Sequence, residues 1–154
     1  MDLDKAKKLA LTLMAKHNVI AMGYRFEFNN RKRTAGLCSY RRKTIELSKR
    51  LTLLANEEDV LETILHEIAH ALCPRQGHNY VWRKKLIEIG GTGKRCYSND
   101  SSLGVAYRTI AKYKGVCPNG HELGRNRLPR RKVSCGKCCR TYNEKYLITW
   151  TLNS

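Results

Sequence analysis

The sequence predicts an α+β protein in two parts, a core of helices and a small sheet followed by a small β-rich module. Two segments, residues 3–17 and about 57–72, repeat apolar residues at helical spacing, and three short β-prone segments lie between them. The C-terminal third instead sets cysteines among basic and β-prone residues. A chain of 154 residues suffices for one modest core and a satellite, so we place the core at residues 1–98 and the module at residues 105–154.

The first half of the core reads as one helix and a sheet. Leucines and alanines recur at helical spacing between lysines over residues 3–17, after an acidic start that suits the helix dipole. The β-prone segments that follow are residues 24–28, 36–40 and 44–47. Because short polar and basic turns separate these segments, we expect a small antiparallel sheet.

The second half of the core contains two further helices. Asn56 can cap a helix with an acidic first turn, and this helix should end near Pro74, because proline disfavours a helical conformation in the residue before it. A following helix over residues 80–89 ends at two glycines. The Gly-, Ser- and Asn-rich residues 91–104 then predict a loop that separates the core from the module.

A metal-binding motif lies in the helix that Asn56 caps. His66 and His70 are four residues apart, so a helix places both imidazoles on one face, where they can bind one tetrahedral zinc ion. Glu67 lies beside the first ligand, where its carboxylate can accept a proton from a zinc-bound water without binding the metal. This H-E-x-x-H pattern predicts a zincin-like core with a catalytic zinc and Glu67 as the general base of peptide hydrolysis.

The third ligand of this zinc must come from elsewhere in the chain. His78 is the best candidate. The chain has five histidines, and besides the two in the motif, His17 ends the first helix and His121 belongs to the cysteine cluster. Three neutral imidazoles leave one position open for water, as a hydrolytic site requires. Glu62 and Glu88 remain alternatives to His78.

The cysteines of the module predict a second, structural zinc. Cys135 and Cys138 form a Cys-x-x-Cys pair, and Cys117 with His121 supplies the other half of a tetrahedral site. Cys139 is a rival to Cys138. A redox dithiol is the competing interpretation of the pair, but no thioredoxin-like βαβ pattern surrounds it. A metal would also supply the stability that so short a module lacks.

The chain is strongly basic, which predicts a polyanionic partner. Its formal charge is +17, from 30 Lys and Arg against 13 Asp and Glu, and such a surface attracts DNA or RNA. A merely solvated surface and an anionic membrane are the alternatives, although no amphipathic membrane helix is evident. The most concentrated positive run is the predicted phosphate-contacting segment, and it contains Arg125, Arg127, Arg130, Arg131 and Lys132.

The expected compartment is intracellular. The cysteine count of seven is odd, the pair spacing suits metal binding, and neither a signal peptide nor an apolar run of about 18 residues is apparent. We therefore expect a monomer in the cytoplasm, nucleoid or nucleus, with no membrane partner.

The motifs resemble the SprT-like family of zinc metalloproteases, which includes the Spartan proteases that degrade proteins crosslinked to DNA. The resemblance is carried by residues 63–72 around the H-E-x-x-H pattern, by Gly77-His78 and by Trp82, with residues 36–38 and 45–48 similar to the short strands upstream. It covers about residues 3–97, and the tail is similar to the zinc ribbon of many members. The resemblance implies zinc on His66, His70 and His78, Glu67 as the base, and DNA-associated or DNA-crosslinked proteins as substrates.

A second function is compatible with the same residues. The protein could be a non-catalytic, zinc-stabilised nucleic-acid-binding protein in which Glu67 is incidental. The two functions differ at the fourth position of the histidine site, which water occupies in a catalytic zinc and a protein side chain occupies in a structural one. Cys73 and Cys96 are the only nearby residues in the sequence that could fill that position.

Overall fold

A computed structural model describes residues 1–153 and shows a mixed α+β protein with two small sheets. The chain divides into two compact units, Met1–Gly104 and Val105–Ser154. None of the helices in the part of the chain that the structure describes is long and apolar enough to cross a membrane.

Five helices occur in the described residues, and three of them were predicted. They are α1 (Leu3–Lys16), α2 (Lys49–Leu54), α3 (Glu57–Leu72), α4 (Tyr80–Glu88) and α5 (Ser102–Ile110). Helices α1, α3 and α4 confirm the predicted segments to within about a residue, and the Asn56 side chain caps α3 by accepting a hydrogen bond from the Asp59 N–H. Helices α2 and α5 were not predicted, and α5 begins inside the segment expected to be a loop.

The sheet of the first unit is mixed, so the prediction of an antiparallel sheet is wrong for one of its two strand pairs. Its strands are β1 (Arg25–Asn29), β2 (Gly36–Ser39) and β3 (Thr44–Ser48), in the order β1-β3-β2. Strand β3 is antiparallel to β2 but parallel to β1. Every residue of β3 is buried, so β3 takes the central position and separates the two strands that precede it in the chain.

The core of the first unit lies on the apolar faces of α3. Ile64 and Ile68 are fully buried, while Leu65 and Ala69 form a cluster with Trp82 and Leu86 of α4. Leu13 of α1 packs against the same cluster. Helix α3 is therefore held on several sides, and its position is fixed by the packing of the whole unit.

The second unit contains an antiparallel sheet and a very small core. Strands β4 (Tyr113–Val116), β5 (Glu122–Arg125) and β6 (Thr149–Leu152) are arranged in the order β5-β4-β6, and a single 3₁₀ turn precedes β6 at Glu144–Tyr146. The buried cluster of this unit consists of Cys117, Cys135 and Ile148. Two of these three residues are metal-ligand types, so the apolar core alone is slight.

Candidate metal centres

Helix α3 presents the first two histidines on one face. Its apolar residues point into the core, and its acidic first turn and Asn56 cap fix where it begins. His66 and His70 fall one turn apart, and their Nε2 atoms lie 3.3 Å from each other.

The connection between α3 and α4 brings in the third histidine. Arg75 and Gly77 both adopt positive φ, at 63° and 58°, and turn the chain back towards α3. His78 follows, and its Nε2 lies 3.0 Å from Nε2 of His66 and 3.1 Å from Nε2 of His70. The side chain of Asn79 then caps α4 by accepting from the N–H groups of the next turn. The structure thus brings all three histidines together.

The separations between the three nitrogens suit a bound cation. Zinc–nitrogen distances of about 2.0–2.1 Å in a tetrahedron separate neighbouring nitrogens by roughly 3.3 Å. The three contacts cannot all be hydrogen bonds, because each Nε2 of a neutral histidine either carries a proton or accepts one. A donor set of three converging imidazole nitrogens therefore fits zinc. The alternative ligands are engaged elsewhere, since Glu62 accepts hydrogen bonds from Thr92 and Glu88 pairs with Lys85.

The electrostatics of the site keep the imidazoles neutral. Burial, with smaller contributions from the other two histidines, lowers the pKa of His66 to about 3. Burial and His78 lower the pKa of His70 to about 4, and burial and the charge of Arg95 lower the pKa of His78. Neutral imidazole is the form that binds a metal, so these nitrogens are available at neutral pH.

Glu67 is next to the first histidine and faces the sheet. Its side chain is 7 % exposed, and burial raises its pKa to about 8, although the backbone N–H of Cys38 in β2 favours the charged form. The carboxyl group is therefore a proton acceptor and donor near neutral pH. That is the property a general base beside a metal site needs.

Trp82 of α4 packs against all three imidazoles. The centroid of its indole lies 4.7 Å from that of His66, 5.3 Å from that of His70 and 4.6 Å from that of His78, and it is stacked on the His70 ring. Trp82 is almost fully buried. In the sequence, Trp82 stood out only through the family resemblance, and no local spacing signals its packing against the histidines.

A second cluster of possible metal ligands lies in the second unit. Cys117 follows β4, and its Sγ lies 3.8 Å from Sγ of Cys138, while Nδ1 of His121 lies 3.3 to 3.5 Å from the sulfurs of Cys117, Cys135 and Cys138. A tetrahedral zinc with Zn–S of about 2.3 Å places sulfurs roughly 3.8 Å apart. These four side chains could hold a zinc ion.

The remaining cysteine of this region stands outside the cluster. The Sγ of Cys139 contacts the Thr141 hydroxyl at 3.5 Å, and Cys139 does not belong to the group of converging ligands. Within the cluster, burial opposes ionisation of Cys117, but backbone N–H groups of His121 and Asn119 outweigh it and lower the pKa of this thiol. A thiolate is the form that binds zinc.

The predicted phosphate-contacting side chains are all exposed, and some of them line a groove. Arg130, Arg131 and Lys132 border an open groove of about 400 Å³ together with Trp150. Arg125 lies on β5 with its guanidinium 5.5 Å from the centre of the Trp150 ring, and Arg127 is exposed in the turn after β5. An aromatic ring among cations is a surface on which a nucleic-acid base can stack.

Comparison with known families agrees with the motifs. The profile of the SprT-like family matches residues 9–102, which is about three fifths of the chain and includes the three histidines and Glu67. No individual curated protein matches the sequence. The chain therefore belongs to the SprT-like family.

Proposed function

We propose that the protein is a zinc-dependent endopeptidase with a zincin-like active site, acting on proteins associated with or crosslinked to DNA. The observation that carries this proposal is the convergence of three imidazole nitrogens at 3.0 to 3.3 Å, next to a buried carboxyl on the same helix, in a chain of the SprT-like family. His66, His70 and His78 would hold the catalytic zinc.

The roles of the protein's own groups follow from their positions. Bound zinc supplies a Lewis acid that polarises a peptide carbonyl and acidifies a water. Glu67 accepts the proton of the attacking water and returns it to the leaving amine, a role that its position beside His66 on α3 supports. Trp82 keeps the three imidazoles in place from the side of the core.

The second unit would recruit the enzyme to DNA. Residues 105–154 contain eleven Lys and Arg against two Glu, and the groove beside Trp150 combines three cations with an aromatic ring. Zinc on Cys117, His121, Cys135 and Cys138 would be structural, because protein atoms fill all four positions. Specificity would then come from location on DNA.

The test is cleavage of a DNA-binding protein by purified, zinc-loaded enzyme, with and without single-stranded DNA. We expect DNA-dependent fragments from the wild type and none from Glu67→Gln, which keeps the size of the side chain and removes the base. DNA binding without any Glu67-dependent cleavage would instead establish the alternative function, a non-catalytic zinc-stabilised nucleic-acid-binding protein.

The groove is tested separately from catalysis. Arg130→Ala with Arg131→Ala should weaken DNA binding and reduce the slope of log affinity against log salt by about 1 for each phosphate that is no longer neutralised. The matched control is Lys8→Ala with Lys16→Ala, which removes two exposed charges from α1. Equal reductions of DNA affinity by both pairs of substitutions would show that DNA binding depends on the net charge of the protein and not on the groove.

A further inference from the structure

Strand β2 is the neighbour of the proposed general base. It forms an edge of the sheet in the first unit and packs against α3, with Gly36 opposite Leu47 and Cys38 opposite Ile45 in the register with β3. Because side chains alternate along a strand, Gly36 and Cys38 share one face. Both residues meet Glu67.

Gly36 leaves space that the Glu67 side chain occupies. A Cβ atom at position 36 would lie 2.7 Å from Oε1 of Glu67, 2.8 Å from its Cγ and 2.7 Å from Cγ2 of Thr63. Gly36 is not among the residues with positive φ, so its backbone conformation does not require glycine. The need for glycine here is a need for space next to the carboxyl group.

The backbone N–H of Cys38 favours the charged form of the same carboxyl group. This N–H belongs to the backbone of a strand, so it cannot turn away as a side chain can. Glu67 thus meets a steric limit at Gly36 and a fixed backbone dipole at Cys38. Both contacts come from one rigid strand, which is held in register by the fully buried β3.

We propose that β2 is the positioning element of the general base, with Gly36 leaving the space that the Glu67 carboxyl occupies and limiting where it can lie. The effect of this positioning on catalysis rests on the proposed function. The competition for space between position 36 and Glu67 does not depend on that function. Gly36 acts through Glu67 and is a positioning residue.

The kinetic test is Gly36→Ala. The added methyl displaces the carboxyl by about an ångström, and a misplacement of that size lowers kcat by about 10²-fold. We expect KM to stay within about twofold and the zinc content to stay the same, because the three histidines lie on other elements. In a Glu67→Gln background, Gly36→Ala should cause no further loss of the residual rate. A second, multiplicative loss there would overturn the positioning role.

A stability cycle tests the same contact without any activity measurement. Gly36→Ala should lower the melting temperature of the otherwise unchanged protein and lower it much less in a Glu67→Ala background, where the space is free. The four proteins of the cycle are the wild type, Gly36→Ala, Glu67→Ala and the double variant, and all four carry Thr63→Ser. This change removes the close contact between position 36 and Cγ2 of Thr63 but keeps the hydroxyl that donates to the Asp59 carbonyl at 2.8 Å. Equal decreases in both backgrounds would overturn the proposal.

The two experiments separate the proposals from each other. If Gly36→Ala destabilises the protein only when Glu67 is present, and the wild type cleaves no substrate, the contact between β2 and Glu67 stands and the peptidase function is refuted. If the wild type cleaves its substrate, but Gly36→Ala lowers the melting temperature equally with and without Glu67 and leaves kcat unchanged, the positioning role is refuted and the peptidase function stands.

Discussion

Replacement of Trp82 by alanine should damage both the fold and the proposed zinc site of the first unit. Trp82 is 1 % exposed, and its indole contacts the cluster of Leu65, Ala69 and Leu86 on one side and the three imidazoles on the other. Truncating a buried tryptophan costs about 3–5 kcal/mol of folding free energy. The unfolding entropy of a unit of this length, Met1–Gly104, is roughly 0.2 kcal/mol per kelvin, so its melting temperature should fall by about 15–25 °C.

The same variant should bind zinc more weakly. The imidazoles lose the surface that holds their ring planes. Removing residues that orient metal ligands by hydrogen bonds costs about 10–100-fold in metal affinity, and we expect a decrease of up to that size from the loss of this packing contact. The measurement is a competitive zinc titration at a temperature where the variant is folded, paired with a thermal melt followed by circular dichroism.

Two controls make the Trp82 prediction specific. Trp82→Phe keeps an aromatic face and sacrifices no hydrogen bond, because Nε1 of Trp82 has no partner within residues 1–153, so zinc affinity should fall less than in Trp82→Ala. Val81→Ala changes a neighbouring residue on α4 that is 48 % exposed and should alter neither quantity measurably. If Trp82→Ala bound zinc as tightly as Trp82→Phe, the indole would not position the histidines.

Two further predictions concern the metal ligands themselves. Cys135→Ser should unfold the second unit and release its zinc, since the buried core of that unit contains the ligand, whereas Cys139→Ser should leave zinc content and hydrogen-exchange protection unchanged. In zinc-free protein, His66 and His70 have pKa values below their unfolded value of 6.5, so the stability they contribute above pH 6.5 is lost as the pH falls towards 4. The free energies of unfolding of the wild type and of the His66→Gln, His70→Gln double variant, measured by urea titration, should therefore diverge between pH 6.5 and pH 4. Parallel pH profiles of the two proteins would contradict the burial of these rings.

The parts of the site that depend on local sequence were predictable. The Asn56 cap, the acidic first turn and the apolar periodicity together predict α3, and helical geometry then places His66 and His70 on one face. His78 lies close along the chain, so one short connection with positive φ at Arg75 and Gly77 returns it to α3. In each case the interacting groups lie within 12 residues of each other along the chain.

The features that were not predicted depend on which parts of the chain fold against one another. The pairing of β1 with β3 depends on the central, completely buried position of β3, which no short pattern reveals. Gly104 reads as a helix breaker, yet it lies inside α5, where the Asn99 backbone is too close for a side chain at position 104. Gly36 is similar, since its role becomes visible only when Glu67 of α3 is placed against it.

Glu67 separates a catalytic site from a purely structural one. In zinc-free protein its pKa is raised by burial from 4.5 to about 8, so the folded state holds a proton that the unfolded chain releases, and stability falls as the pH rises through this range. The decrease between pH 4.5 and pH 7 amounts to up to roughly 3 kcal/mol. Glu67→Gln removes it, so the variant should exceed the wild type in free energy of unfolding by an amount that grows from pH 5 to pH 8, measured by urea titration without zinc. If the Glu67 carboxyl lowers stability and is still indispensable for cleavage, it is retained for function. If the stability difference between Glu67→Gln and the wild type were the same at pH 8 as at pH 5, the burial of Glu67 would carry no such cost.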